Sequence, residues 1–534
     1  MSNAAPIEPS APVQPFESAS PVVRLVNTFA EPFNNAIATA RTCYSSRVIE
    51  PHDVDKDDRA RAQRDAIAQS TYEAGHHTTL QHAHFQFVLD NVSRQLIWSF
   101  LHAHPFYNSE QVSQRYVSVK ADRLVVPKLA ERDAALYAET AAAQMMCYRD
   151  LVGLLTEPVA EAYFEVFRGR RKKQDQYARD IKKKAQEVAR YALPIATFAH
   201  LYHTVSGLTL HRYHRLSRAF DVPIETGAVI TAMIAEVDRV DPLFFSHIED
   251  PVPLEETHEY LALTATRGVH VSESARAFRD EFDRELGELS AKLLATKPNA
   301  EALMARAVRS VLGVASSELS DDAAIELVLS PVKNPYLTGA LNLSSLGKLT
   351  RALVHPHFTF QKKLSHSADS QDQRHRMTPG TRPVLHAHYV GGEPDLVVPP
   401  MIRSNPPAFE RFMATMRQTW HAIDTLLDGG VSPESALYLL PNAFPIRFEE
   451  SGDLMAFHHK WTTRLCYNAQ EEIWQSSVEE VVQVREAHPR IGRWIEPPCG
   501  LRRETAVRPY CPEGPRYCGV PAWKQDLADY HRVL

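Results

Sequence analysis

The residues in this chain best suited to chemistry are clustered cations and clustered cysteines. Arg374-His375-Arg376 form a basic triplet. A longer basic run holds Arg168, Arg170, Arg171, Lys172, Lys173, Arg179, Lys182, Lys183 and Lys184. Arginine binds phosphate through paired N–H donors and stays charged when buried, so such groups suit anions. A triplet alone is a weak signal, and a basic run is more often a solvated helix face than a polyanion site. Cys499, Cys511 and Cys518 lie close together in a Pro/Gly-rich tail, half of all six cysteines. That grouping suggests metal ligation, zinc first, with a fourth ligand from His531 or another histidine. The alternatives are three reduced thiols or a three-cysteine iron–sulfur site.

These groups need a scaffold, and the chain repeats itself. HAHFQF (82–87) returns as HPHFTF (355–360), and ARYALP (189–194) returns as ALYLLP (436–441), in the same order. A period of roughly 250 residues is far beyond solenoid repeats and reads as domain duplication. The expected organisation is a disordered Pro/Ser/Ala-rich tail over 1–20, copy 1 over 21–252, a helical connector over 253–299, copy 2 over 300–491, and a Cys-containing tail over 492–534. The connector's helical spacing uses Phe278, Phe282, Leu286, Leu289 and Leu293. Segments 22–26 and 84–88 read as strands, and 59–73, 134–155 and 186–201 as helices. The fold class is therefore α+β.

The 534 residues allow two or three domains, and 44% hydrophobic and 23% charged residues are globular values. A net charge of −6 demands no nucleic-acid partner. No apolar stretch reaches the ~18 residues of a membrane helix. The N-terminus lacks the basic and apolar regions of a signal peptide, and six cysteines argue against a disulfide framework. A cytoplasmic location is expected. Cys43 reads as a small buried residue.

Copy 1 holds ARTCYSS (40–46), GHHTTLQH (75–82), HFQF, SEQVSQRYV (109–117) and ARYALP. This series resembles the flavin-dependent thymidylate synthases, whose signature is Arg-His-Arg, seven residues, then Ser, within Glu-x-Ser-x-Arg-Tyr. Copy 1 keeps Glu110, Gln111, Ser113, Arg115 and Tyr116, with one residue extra between Glu110 and Ser113. It lacks the triplet, having His102-Ala103-His104 there, or 101–103 in the neighbouring register. Copy 2 keeps Arg374-His375-Arg376, DLMAF, Arg464 and AQEEI, but MTPGTRPVL replaces the Glu-x-Ser-x-Arg-Tyr segment. Copy 1 keeps Arg190 in ARxxLP, where copy 2 has Leu437. The nucleotide-side counterparts in copy 2 could instead be shifted into SHSADSQDQRH (365–375).

The losses are complementary, which implies a composite site between copy 1 and copy 2. The resemblance implies FAD, methylenetetrahydrofolate and NADPH, and conversion of deoxyuridylate to thymidylate. It assigns the nucleotide to Glu110, Gln111, Ser113, Arg115, Arg190, Arg374 and Arg464, with Ser113 and Arg374 as the catalytic pair. It assigns the cofactors to His76, Thr78, Gln81, Arg374, His375, Arg376 and Gln470. Family members assemble four copies, so two per chain predict a homodimer. Two other readings stay open: another pyrimidine or an RNA uridine as substrate, with nucleic acid less favoured than free nucleotide, and a non-catalytic nucleotide-binding protein.

Overall fold

The computed structural model describes residues 15–219, 221–246, 248–267, 271–530 and 532. Two antiparallel sheets organise it. In copy 1, β1 (Val22–Thr28), β2 (His84–Ser93), β3 (Asn108–Gln111) and β4 (Phe198–Ser206) lie in the order β1-β2-β4-β3. In copy 2, β5 (Ala291–Thr296), β6 (His357–Ser365) and β7 (Pro445–Asp453) lie in the order β5-β6-β7. The repeated HFxF segments are the central strands. Their alternation sends Phe85 and Phe87 in copy 1, and Phe358 and Phe360 in copy 2, fully inside, as a period of two requires.

β2 has ten residues and β6 nine. The extra residue falls at a register shift between Leu89 and Val92, where Asn91 takes a positive φ of 56°. Bulged positions commonly take such residues. Both strands end in a serine that caps the next helix: Ser93 accepts from Leu96 N and Ser365 from Ala368 N.

The copies meet about a pseudo-twofold. Pro194 bridges Pro441. Ile195 N donates to Leu440 O and Asn442 N to Leu193 O, both at 2.8 Å. Ala196 N donates to Tyr438 O and Ala443 N to Tyr191 O. Side chains repeat the exchange. Glu225 of copy 1 receives Ser93 and the Tyr438 hydroxyl of copy 2. Glu472 of copy 2 receives Ser365 and the Tyr191 hydroxyl of copy 1. Such reciprocity marks an isologous contact, and one apolar core, from Phe85 to Phe444, runs through both copies.

Three expectations change. The segment 186–201 is not one helix: the helix Gln174–Ala189 gives way to a turn at Arg190–Ala192, then β4. Pro194 causes this, having no N–H and pushing Leu193 into an extended conformation (ψ 139°). The connector contains the helices His258–Arg267 and Val271–Leu286, but its end is β5, with Leu293 opposite Phe360. The unpaired edge of β6 overrides local helical spacing there. Of the expected disordered tail 1–20, residues 1–14 lie outside the described residues. Phe16 is buried, and Glu17 N donates to Val126 O at 2.9 Å, so the order extends upstream of Pro21. Among the described residues no helix is long and apolar enough to cross a membrane.

Candidate active site

Five arginines from both copies converge where the copies join. Arg190 stands at the end of the helix Gln174–Ala189 and is 3% exposed; its Nε and Nη2 have no hydrogen-bond partner among the described residues. Arg94 follows β2 in the first turn of its helix. It donates to Gln111 Oε1 at 3.1 Å, while its Nε has no partner among the described residues. Arg115 donates to Glu187 at 2.8 Å and crosses to copy 2 at Asn468 O, 3.0 Å. Arg464 ends the helix Leu454–Arg464 and donates to His375 Nε2 at 2.9 Å and Gln371 O at 3.0 Å. Arg374 reaches copy 1 at Glu110, 3.1 Å.

The electrostatics are those of an anion site. Burial, then the charges of Arg190 and Arg374, push Arg94 down to about 10. Burial pushes Arg464 down to about 10 against the pull of Asp372, with Arg115 and Arg374 adding repulsion. Burial opposes the charge of Glu187, but Lys184, Arg115 and Arg190 hold it at about 2. Asp372 is already engaged, by Lys362 at 3.0 Å and Lys460 at 2.8 Å. The cationic surplus therefore has buried donors left over, and a charged donor without a partner is costly unless an anion arrives.

The copy 2 triplet docks on copy 1. Arg376 donates to Pro105 O and Asn108 Oδ1 and lies 5.1 Å over the Tyr107 ring. Arg374 and Arg376 line an open cleft of about 310 Å³ with Gln86, Asn108 and Glu110. His375 faces inward, and burial with the neighbouring Arg464 charge holds its imidazole well below the usual range. Gln470 donates to the Tyr191 hydroxyl at 2.5 Å and contacts Gln371. Ser113 shapes its loop by accepting from Arg115 N at 3.2 Å. His76, Thr78 and Gln81 stand exposed on and beside the turn His77–His82, and the Arg374–Arg376 cleft does not include them.

Counted from the capping serines, His102 occupies the place of Arg374 and His104 that of Arg376. His102 is buried, stacked on Tyr107 at 4.4 Å, with neither ring nitrogen hydrogen-bonded among the described residues. His104 meets the Tyr213 hydroxyl at 2.7 Å, and burial, then Arg212 and Arg376, push it down to about 4. An aromatic, uncharged cluster thus stands where copy 2 has guanidiniums. The segment 365–375 is committed to structure: Ser365 to Glu472, Asp369 to Arg382 and Trp98, Asp372 to lysines. Within it the Gln371 carbonyl accepts from Arg464.

The basic run divides. Arg168, Arg171, Lys172, Lys173, Arg179 and Lys182 are exposed, whereas Arg170, Lys183 and Lys184 line a cavity of about 400 Å³ with Arg115 and Tyr116. The proposed zinc ligands Cys499, Cys511 and Cys518 share a cavity, but among the described residues no group of three or more His, Cys, Asp or Glu is disposed to hold a metal ion. The zinc expectation is therefore not supported; His531 lies outside the described residues. Cys43 is exposed, not buried. Sequence reasoning missed Arg94, Glu187 and Cys466. Only position could have flagged Arg94, directly after the apolar strand whose end turns toward the interface.

The family model described as thymidylate synthase complementing protein (Thy1) matches residues 24–243 and again 292–490. A flavin-dependent thymidylate synthase of Geobacter sulfurreducens is 30% identical over 182 residues, 34% of this chain and 75% of the relative. One of Clostridium tetani is 23% identical over 228 residues, 42% of this chain and 85% of the relative. The match falls twice along the chain, on the two halves that the sheets and the pseudo-twofold relate. The chain therefore belongs to the flavin-dependent thymidylate synthase (Thy1) family, as an enzyme of that type with two tandem copies.

Proposed function

We propose that this enzyme methylates a uracil nucleotide, most simply deoxyuridylate to thymidylate, at one composite site per chain built from both copies. FAD is the cofactor, and methylenetetrahydrofolate and NADPH are the co-substrates. The observation that carries this reading is the convergence of Arg94, Arg115 and Arg190 with Arg374 and Arg464, leaving buried guanidinium donors at Arg94 and Arg190 unpaired among the described residues. A nucleotide phosphate, with close to two negative charges, matches that surplus.

Arg115, Arg190 and Arg464 bind the phosphate, and Glu110, Gln111 and Ser113 lie along the sugar and base. Arg374 spans nucleotide and cofactor. The Arg374–Arg376 cleft, with amide donors from Gln86 and Asn108, suits the anionic diphosphate of FAD. His375 orients Arg464 through its ring nitrogen, and Gln470 ties the two copies at Tyr191. The flavin, when bound, supplies the redox chemistry that methylating a non-acidic carbon requires; the protein supplies position and charge. His76, Thr78 and Gln81, exposed in one chain, contact flavin in a site completed by a second chain. The assembly is a homodimer of four copies with two working and two vestigial sites.

The test is a visible spectrum of the purified chain during titration with FAD and deoxyuridylate, followed by a thymidylate assay with both co-substrates. A flavin band that shifts on adding nucleotide, with thymidylate formed, supports the reading. Flavin binding without any response to nucleotide refutes the composite site.

A second reading keeps the chemistry and changes the substrate to a uridine within RNA. It is favoured by the cavity that runs from Arg115 and Tyr116 to Arg170, Lys183 and Lys184. RNA that competes with deoxyuridylate at low salt, and less at high salt, supports it.

A further inference from the structure

Four of the six cysteines face one cavity. Cys466 lies between Arg464 and Gln470 in copy 2, and Cys499, Cys511 and Cys518 lie in the C-terminal tail. All four line a cavity of about 330 Å³ together with Arg115, Arg464 and Tyr467. All are part-buried, and none is in a disulfide. The tail is held there by specific contacts. Asn468 Nδ2 donates to Arg516 O at 2.7 Å, and Tyr530 stacks on Trp474 at 6.4 Å. Gly519, at φ +84°, is pressed so closely against Phe167 that an added Cβ would lie 2.5 Å from its ring. The loop carrying Cys518 is therefore fixed against the helix Glu131–Val166.

Cys499 and Cys518 also pack against the shared apolar core, yet all four cysteines line one cavity beside two arginines. A single tetrahedral ion does not fit. Its sulfurs, each about 2.3 Å from the metal, would crowd within roughly 4 Å of one another, and no such group occurs among the described residues. In a four-iron cluster each thiolate binds a different iron, so the sulfurs stand farther apart around a larger body. The four-thiolate cluster is an anion, and Arg115 and Arg464 on the cavity wall offset it.

We propose that Cys466, Cys499, Cys511 and Cys518 ligate a [4Fe–4S] cluster lodged between copy 2 and the tail, against the wall that carries Arg115 and Arg464. This inference does not rest on the identity of the nucleotide substrate.

The experiment is anaerobic purification of the full chain, reconstitution with ferrous iron and sulfide, and analysis of iron and acid-labile sulfide. Electron paramagnetic resonance after dithionite reduction separates cluster from flavin. About four irons and four sulfides per chain are expected, lost in Cys466→Ser and Cys511→Ser and kept in Cys43→Ser. Should a serine variant fail to fold, alkylation of the reconstituted wild type with mass-spectrometric mapping decides: protection of all four thiols, relieved by chelation, supports the proposal. No iron and sulfide after reconstitution, a single zinc without sulfide, full iron retention in Cys466→Ser, or alkylation of the four cysteines with iron still bound would each overturn it.

Discussion

Replacing Arg190 by methionine separates charge from packing at the centre of the arginine cluster. The side chain is 3% exposed, and its Nε and Nη2 lack partners among the described residues. Methionine fills much of the same volume and removes the charge. Two effects on the unliganded protein oppose each other. Losing Arg190 relieves repulsion on Arg94, but it weakens the field that keeps Glu187 ionised. The melting temperature should therefore move little, by the equivalent of no more than about 1 kcal/mol. Nucleotide binding should not be spared. A hydrogen bond to a charged group contributes roughly 1.5–3 kcal/mol. Loss of two donors to phosphate, partly replaced by water, should cost about 3 kcal/mol, or roughly 100-fold in affinity. The assay is isothermal titration with deoxyuridylate and, separately, with deoxyuridine. The expected result is that Arg190→Met loses roughly 100-fold in affinity for the phosphorylated ligand and leaves nucleoside affinity unchanged. Equal losses for both ligands, or nucleotide affinity within threefold of wild type, would refute the phosphate assignment.

Other perturbations probe the same design. Arg115→Ala and Arg374→Ala should each lower nucleotide affinity at least tenfold, and mixing the two variants should not restore it if one chain supplies both. Recovery of activity on mixing would put the pair between chains. Lys362 is buried between Asp372, Glu450 and Glu480, at 3.0, 3.0 and 2.7 Å. Lys362→Met should cost about 3–5 kcal/mol by leaving buried carboxylates underpaired, measurable by urea denaturation; a loss below about 1 kcal/mol would contradict the network's role. Glu434 is buried beside Glu225 and accepts from Ile224 N and Glu225 N. Burial chiefly, with the Glu225 charge, raises it from 4.5 to about 8. Its folded form binds the proton more tightly than the unfolded chain, so its stability contribution is full below pH 4.5 and is lost as pH rises toward 8. Glu434→Gln should flatten the stability profile across that window; an unchanged slope in urea melts would dispose of the assignment.

The sequence by itself determined the duplication, the central strands and the division of arginines between copies. Those features are local. Alternation at HFQF and HPHFTF encodes which face is buried, and a motif such as Arg374-His375-Arg376 is legible wherever it folds. What only the tertiary structure decided depends on contacts between residues far apart in sequence. Local periodicity makes 186–201 one helix and carries Leu293 into another; Pro194 and the open edge of β6 overrule it. The pairing of Pro194 with Pro441 brings Arg94 and Arg190 toward Arg374 and Arg464. Arg94 looks like any arginine until burial and two neighbouring charges single it out. Cys466, remote from its tail partners in sequence, joins them only because the tail folds back on copy 2. Spacing along a chain fixes faces and caps, whereas convergence of like charges or thiols is fixed by the packing of whole elements, whose cohesion offsets the local repulsion.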